Sequence, residues 1–295
     1  MRTEEEMYRL IIHTAEEDPR IRAVYMNGSR TNPHAPRDLF QDYDIVYVVR
    51  ETASFIASPG WVSVFGEIAY LQCPDAVDLS LGYEVDFENH YGYLMQFEDG
   101  VRIDLTLQKL DFAKKVILEY KLCRVLLDKD GLLPPVPAST DEDYRVKKPT
   151  EAAFLASANE FWWCTNNLAK GLWRDELPYV EDMANLYVRP QLMKMLSWKV
   201  GILTDFSFSV GKSGKYLKYR LPEEDYTRYL ATYFAADADQ AWESIFAMTA
   251  LFEETALWVA DKLGFSYHLA EGRAAQKHLR FAKDLPHPND LSAGE

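Results

Sequence analysis

The feature that most constrains the fold is a change of hydrophobic pattern about half-way along the chain. Residues 42–49 are β-branched and aromatic, and residues 101–107 alternate apolar with polar side chains, which is typical of strands. From Thr150 to about Gly264, apolar residues instead follow helical spacing and are dense in Trp, Phe, Leu and Met. This order predicts an α+β domain followed by a helical bundle.

Domain boundaries follow from this change of pattern and from local composition. The chain has 295 residues, which favours two domains. We predict an α+β domain over residues 1–138, a proline-rich linker over 139–149, a helical domain over 150–283 and a disordered tail over 284–295. Within the helical domain, Pro190 predicts a break or kink.

Several local elements can be predicted in the first half. An acidic first turn and helical spacing predict a helix over 4–17, and residues 21–29 predict a short strand that ends in a Gly-Ser turn. Residues 98–100 predict the turn of a hairpin, and residues 112–128 predict one amphipathic helix. Residues 61–72 fit either a strand or a short helix.

The charge of the chain restricts its partners. Its 46 acidic and 32 basic residues give a net charge of −14, and both halves are acidic. Such a chain repels phosphate backbones, which argues against nucleic-acid binding, and it attracts cationic ligands. A polyanion such as a nucleotide would need metal ions in order to bind here.

Other sequence features indicate the compartment. No apolar run approaches the ~20 residues that span a bilayer, and the acidic N-terminus lacks the layout of a signal peptide. Three scattered cysteines fit reduced, buried thiols, and six scattered histidines show no zinc-ligand spacing. We therefore expect a cytoplasmic protein without a membrane partner, and we expect it to be a monomer.

Asp42 and Asp44 are the most informative residues of the chain. Strand side chains alternate, so both carboxylates project to one face while Tyr43 and Ile45 project to the other. Two carboxylates on one face repel each other, and a strand disfavours Asp. Mg²⁺, which takes hard oxygen ligands, would offset that repulsion. The alternative is that both lie at a solvated strand end.

Two further features favour a phosphate-binding metal site. Asp104 lies in the middle of the strand at 101–107, on its more polar face, and a neighbouring strand would bring it towards Asp42 and Asp44. Gly28 lets the backbone approach a phosphate, and Ser29 offers a hydroxyl and an amide. Each feature alone also fits an ordinary strand or turn.

Longer stretches carry a family resemblance. The segments GSR, DYDIVYVV and RIDLTL together resemble the nucleotidyltransferase superfamily. The stretches GSRTNPHAPRDLFQDYDIVYVV, ELPYVEDMANLYVRPQLMKMLSWKVG and GKSGKYLKYRL resemble the aminoglycoside 6-adenylyltransferases that inactivate streptomycin, over about residues 1–280. This resemblance implies a nucleotidyltransferase domain with a mixed sheet flanked by helices, a helical C-terminal domain, and a drug site between them.

The resemblance also implies an activity and its catalytic groups. It predicts Mg²⁺-dependent transfer of AMP from ATP to the 6-hydroxyl of streptomycin, with release of pyrophosphate. Asp42 and Asp44 would bind Mg²⁺. Asp104 would be either a further metal ligand or, as we rank first, the base that takes the hydroxyl proton. Asp182 is the alternative base.

The resemblance assigns further residues to the two substrates. Gly28 and Ser29 would hold the phosphates of ATP, together with Arg30. The alternative for Arg30 is that it is an ordinary surface residue. Lys215, in a basic cluster of the second domain, would add counter-charge to the triphosphate across the domain interface. Its alternative role is that of a solvated loop residue.

The aminoglycoside would bind in the helical half. Trp173, Glu181 and Asp182 would form an acidic, aromatic-edged cleft for a polycationic drug. Charged residues at a helix start also favour the helix dipole, which is the alternative interpretation.

Two other functions compete with this prediction. One keeps the chemistry but uses another antibiotic, or a hydroxyl of a protein or RNA, as the acceptor. The other is a non-catalytic nucleotide-binding scaffold, which would have no need for three repelling carboxylates.

Overall fold

A computed structural model describes residues 1–286 of the chain. The chain divides into two compact units, Met1–Asp143 and a second that begins at Tyr144. The division lies inside the predicted linker 139–149. Of the predicted tail, residues 287–295 lie outside the described residues, and Asp284 directly follows the last helix.

The first unit is built on a mixed sheet. Within residues 1–286 the sheet has six strands, in the order β3-β4-β5-β2-β1-β6. They are β1 Ile21–Asn27, β2 Tyr43–Val49, β3 Ile68–Gln72, β4 His90–Phe97, β5 Arg102–Lys109 and β6 Cys123–Asp128. Neighbouring strands are antiparallel except for the central pair, β2 and β5, which run parallel.

Helices cover both faces of this sheet: α1 Glu4–Glu17, α2 Ala53–Ile56, α3 Pro74–Ser80 and α4 Leu110–Val116. Helix α1 begins with a capping box, in which Thr3 and Glu6 satisfy each other's backbone amides. It packs on the face that buries Tyr43 and Ile45. Val46, which alternates with them, lies on the opposite face with α4. Asp44 shares the face of Val46 by the same alternation.

The hairpin of β4 and β5 is formed as predicted, with its turn at residues 98–100. Arg2 fixes this turn: its backbone amide and its Nε both donate to Oδ2 of Asp99, at 3.0 and 2.8 Å. Hydrogen bonding to Arg2 lowers the pKa of Asp99 to about 2. The turn is therefore held by a charged pair from a distant part of the chain.

One predicted helix is wrong. Residues 112–128 do not form a single helix, because α4 ends at Val116 and the segment Cys123–Asp128 is β6. Strand β6 pairs antiparallel with β1, whose backbone groups on that side would otherwise lack partners within the sheet. This long-range pairing overrides the local helical pattern. The undecided segment 61–72 contains the end of a 3₁₀ helix, Pro59–Phe65, and then β3.

The second unit is helical. Its helices are α5 Glu151–Trp173, α6 Leu177–Met183, α7 Arg189–Leu203, α8 Glu223–Leu230, α9 Ala238–Leu263 and α10 Leu269–Lys283. Their core is rich in aromatic residues, and the rings of Phe161 and Phe252 stack at 3.6 Å. The predicted fold class, a mixed sheet with helices followed by a helical region, is confirmed.

The predicted break near Pro190 takes the form of a π-helical turn. Residues Ala184–Val188 widen into this turn between α6 and α7, and Pro190 is the second residue of α7. Proline has no amide hydrogen and its ring clashes with the carbonyl four residues earlier, so a wider turn lets the helical path continue.

The structure also describes the three cysteines and the length of the helices. Cys73, Cys123 and Cys164 are free thiols, as predicted, but only Cys123 and Cys164 are buried, while Cys73 is half-buried. Within residues 1–286, no helix has both the length and the apolar character needed to cross a membrane.

Candidate active site

The parallel pairing of β2 with β5 brings the three predicted carboxylates together. Asp44 and Asp104 are direct partners in the register of the two strands, and Asp42 directly precedes β2 on the same face. One carboxylate oxygen from each of Asp42, Asp44 and Asp104 lies within 4.8 Å of the other two. All three residues are half-buried. The structure therefore makes one acidic cluster from two distant segments.

The environment of Asp44 disfavours its charge. Burial raises the pKa of Asp44 to about 7, and repulsion from Asp42 and Asp104 adds to the effect. Arg102 and Arg30 lower the pKa of Asp44 but do not compensate fully. A cation among the three carboxylates would lower the pKa of Asp44, because opposite charge within a few ångströms favours the ionised form.

Gly28 lies against this cluster. Its φ of +75° is one that side-chain-bearing residues rarely adopt, and a Cβ built there would lie 1.9 Å from Oδ2 of Asp44. Both the backbone conformation and the available space therefore require glycine. Ser29 follows, and its Oγ accepts a hydrogen bond from Nε2 of Gln41 at 3.3 Å. Phosphate binding by Gly28 and Ser29 stays a prediction.

Arg30 is part of the interior of the first unit rather than of its surface. Its side chain is only 7% exposed and donates to the carbonyls of Gln41, at 2.7 Å, and Asp42, at 2.9 Å. Its guanidinium carbon lies 3.7 Å from the ring centroid of Tyr43. Arg30 thus holds the segment that carries Asp42, and its assignment to phosphate binding stays a prediction.

Sequence reasoning missed Arg102. Its Nε and Nη2 donate to the two carboxylate oxygens of Asp104, each at 2.7 Å. Hydrogen bonding to Asp104 raises the pKa of Arg102, and the charges of Asp104, Asp42 and Asp44 add to this rise. The signal was available, because residues two apart on a strand share one face.

The predicted residues of the second unit lie on or beside its helices. Trp173 ends α5 and is half-buried, and its Nε1 donates to the carbonyl of Pro286 at 3.0 Å. On α6, Asp182 is exposed, while Glu181 is half-buried and accepts from Nδ2 of Asn185 at 3.0 Å. Lys215 is exposed, and its Nζ lies 5.1 Å from the ring centroid of Tyr216. Their roles in binding stay predictions.

Comparisons with known proteins identify the family of the chain. A family model described as "Streptomycin adenylyltransferase" matches residues 1–281. The chain belongs to the streptomycin adenylyltransferase family. The predicted family, and with it the prediction of an aminoglycoside adenylyltransferase enzyme, is confirmed.

Individual relatives match over nearly the full length. An aminoglycoside 6-adenylyltransferase of Campylobacter jejuni is 39% identical over 96% of this chain and 97% of the relative. Another, of Bacillus subtilis (strain 168), is 35% identical over 90% of this chain and 93% of the relative. The crystal structure of an aminoglycoside 6-adenyltransferase from Bacillus subtilis matches with 30% identity and a TM-score of 0.48, over 97% of this chain and 100% of that one.

Proposed function

We propose that this chain transfers AMP from ATP to the 6-hydroxyl of streptomycin, with Mg²⁺ bound by Asp42 and Asp44, and with Asp104 beside them as the base or as a further metal ligand. The convergence of these three carboxylates is the observation that carries the proposal. Membership of the streptomycin adenylyltransferase family supports the choice of drug. The name of the relatives, aminoglycoside 6-adenylyltransferase, supports the choice of hydroxyl.

The residues of the cluster fit a magnesium ion. Carboxylate oxygens are the ligands that Mg²⁺ prefers, and it commonly binds through one or two carboxylates together with substrate phosphates. Burial, together with repulsion from Asp42 and Asp104, raises the pKa of Asp44, and a bound cation would favour its ionised form. When bound, Mg²⁺ would neutralise the charge of the phosphates.

The chemical step is an in-line displacement at the α-phosphorus of ATP. The acceptor hydroxyl oxygen forms a bond to this phosphorus, and the bond from phosphorus to the bridging oxygen breaks. Pyrophosphate leaves with the electron pair of that bond. Asp104, where it does not bind the metal, takes the hydroxyl proton, and Asp182 is the alternative base.

The remaining residues bind and orient the two substrates. Gly28 and Ser29 would hold the phosphates, with Arg30 keeping Asp42 in place and Lys215 adding positive charge. In the helical unit, the carboxylates of Glu181 and Asp182 would pair with the cationic groups of the drug, and Trp173 would pack beside them. The net charge of −14 favours the approach of such a polycation.

Pyrophosphate release tests this function. The protein is incubated with ATP, Mg²⁺ and each member of an aminoglycoside panel, and the product is identified by mass spectrometry and NMR. We expect streptomycin to acquire AMP at its 6-hydroxyl. If another aminoglycoside alone is modified, the choice of drug is wrong. If none is modified, the proposed activity is wrong.

Two substitutions distinguish the candidate bases. Asp104→Asn and Asp182→Asn each remove one carboxylate without changing its shape. If Asp104 is the base rather than a metal ligand, its variant loses the chemical step under saturating substrates and keeps its Mn²⁺ affinity, whereas Asp182→Asn raises the KM for streptomycin. The opposite pattern would assign the base to Asp182.

A further inference from the structure

Arg102 lies on the same strand face as the acidic cluster. It begins β5 and precedes Asp104 by two residues, so both side chains project to one side of the sheet. The register of the parallel pair, continued by one residue from Tyr43 and Ile103, sets Arg102 beside Asp42. The cluster therefore contains one guanidinium among three carboxylates.

This arrangement has an excess of negative charge. When all four groups are ionised, three carboxylates and one guanidinium carry a net charge of −2, which one divalent cation would balance. Both oxygens of Asp104 are already bonded to Arg102. A metal ion bound by all three carboxylates would therefore share Asp104 with the guanidinium, and each cation would weaken the hold of Asp104 on the other.

Arg102 also has the freedom to move. Its side chain is 46% exposed, whereas that of Arg30, the other arginine that acts on Asp44, is 7% exposed and bonded to two carbonyls. A guanidinium pairs with phosphate oxygens through the same planar fork that it uses for a carboxylate. Once Asp104 is neutralised, its hold on Arg102 weakens.

We propose that Arg102 is a nucleotide-binding residue that Asp104 holds until a divalent metal binds, after which its guanidinium pairs with the phosphates of ATP. This inference rests on the proposed function, and it assigns to the same site a residue with two partners. It predicts two opposite effects: removing Arg102 strengthens metal binding and weakens nucleotide binding.

Two binding measurements test these opposite effects without any turnover. Mn²⁺ binding to the metal-free protein is followed by electron paramagnetic resonance. Binding of α,β-methylene ATP, which cannot release pyrophosphate, is followed by calorimetry at saturating Mg²⁺. For Arg102→Gln we expect about fivefold tighter Mn²⁺ binding and about tenfold weaker analogue binding, because a charge-assisted pair is lost in each case.

Arg22→Gln is the matched control. Arg22 also makes a two-pronged pair with a carboxylate, donating from Nε to Asp130 at 2.7 Å, and Asp130 lies outside the acidic cluster. The two substitutions change the net charge equally, so a general electrostatic effect would appear in both. We expect Arg22→Gln to leave both affinities unchanged.

Arg102→Lys keeps the test decisive if Arg102→Gln does not fold, as judged by circular dichroism. Lysine keeps the charge but cannot bind both oxygens of Asp104 through a planar fork. It should therefore shift both affinities in the same opposed directions, by less. Equal affinities, or a loss of both, in a folded variant would overturn the proposal.

The outcomes also separate this inference from the proposed function. If the wild type binds both probes and the opposed shifts occur, but no aminoglycoside is modified, Arg102 keeps its role and the proposed function fails. If AMP transfer occurs without the opposed shifts, the function stands and the role of Arg102 is overturned.

Discussion

Two acidic regions of this molecule use the same residue types in different surroundings. Asp42, Asp44 and Asp104 lie half-buried on neighbouring strands with their oxygens within 4.8 Å of one another. On α6, by contrast, Asp182 is exposed and Glu181 is hydrogen-bonded to Asn185. Water stabilises the exposed carboxylate, so only the sheet cluster needs a counter-ion. Electrostatic strain, rather than the number of acids, distinguishes a metal-site candidate.

The largest expected effect is the loss of activity in Asp44→Asn. We expect a decrease of about a thousandfold in kcat, because a charged metal ligand stabilises the transferring phosphoryl group by several kcal/mol. Steady-state pyrophosphate release measures it, with circular dichroism to check the fold. Asp130→Asn, a change of the same kind outside the cluster, should keep full activity. An active Asp44→Asn variant would show that the sheet cluster is not the metal site.

The next effect concerns the contact between Gly28 and the cluster. Gly28→Ala places a methyl group 1.9 Å from Oδ2 of Asp44, so either the loop or the carboxylate must move. We expect a loss of about 1–3 kcal/mol in the free energy of unfolding and a large decrease in metal affinity. Urea unfolding and Mn²⁺ titration measure the two losses.

Gly82→Ala is the control for backbone strain alone. Gly82 also has a positive φ, of +86°, but a Cβ there would meet nothing within 4 Å. It should lose some stability and no metal affinity. Equal metal affinities in the two variants would show that Gly28 does not shape the cluster.

The strain on Asp44 also predicts a pH dependence of stability without metal. Its folded-state pKa, about 7, lies above the ordinary value of 3.8, so the folded chain binds more protons than the unfolded chain between these values. The contribution of Asp44 to stability therefore falls as pH rises from about 4 to 7, on the order of a few kcal/mol. In EDTA, Asp44→Asn should stabilise the protein more at pH 8 than at pH 5.

Urea unfolding of both proteins at the two pH values measures this difference. Added Mg²⁺ should reduce the difference at pH 8 by balancing the charge of the wild-type cluster. A gain that is independent of pH would contradict the strain on Asp44.

The smallest effect is expected for Asp182. Because its side chain is exposed, Asp182→Asn should leave the melting temperature unchanged and raise the KM for streptomycin about tenfold through the loss of one charge-assisted contact. Thermal melting and steady-state kinetics measure the two quantities. A stability change as large as that of Asp44→Asn would remove the contrast between the regions.

The sequence predicted those parts of the structure that depend on local patterns. β-Branched and aromatic residues identified β2, and the turn at 98–100 identified the hairpin of β4 and β5. Alternation assigned Asp42 and Asp44 to one face. The pairing of β2 with β5 depends on topology, so the sequence offered only the possibility that Asp104 lies beside them. Strand β6 was missed because its residues also fit a helical period and become a strand only by pairing with β1.

Arginine roles were the least predictable part of the site. Arg30 follows Gly28 and Ser29 in the motif, which predicts contact with phosphate, and this role stays a prediction. The pattern did not show that its guanidinium also bonds to carbonyls of the segment that leads into β2. Arg102 was not predicted as a residue of the site, because a single basic residue near an acidic one is common on strands. Partner choice among such long side chains depends on three-dimensional distances, which a linear pattern does not contain.

The short turn at 98–100 has a consequence for how this family can diversify. Because the hairpin fixes where β5 starts, inserting or deleting one residue in the turn would shift β5 against β4 and β2 by one position. Asp104 would then face α1, and an apolar neighbour would replace it among the carboxylates. We therefore expect a one-residue change of length in this turn to disrupt the carboxylate cluster, because the register of β5 depends on it.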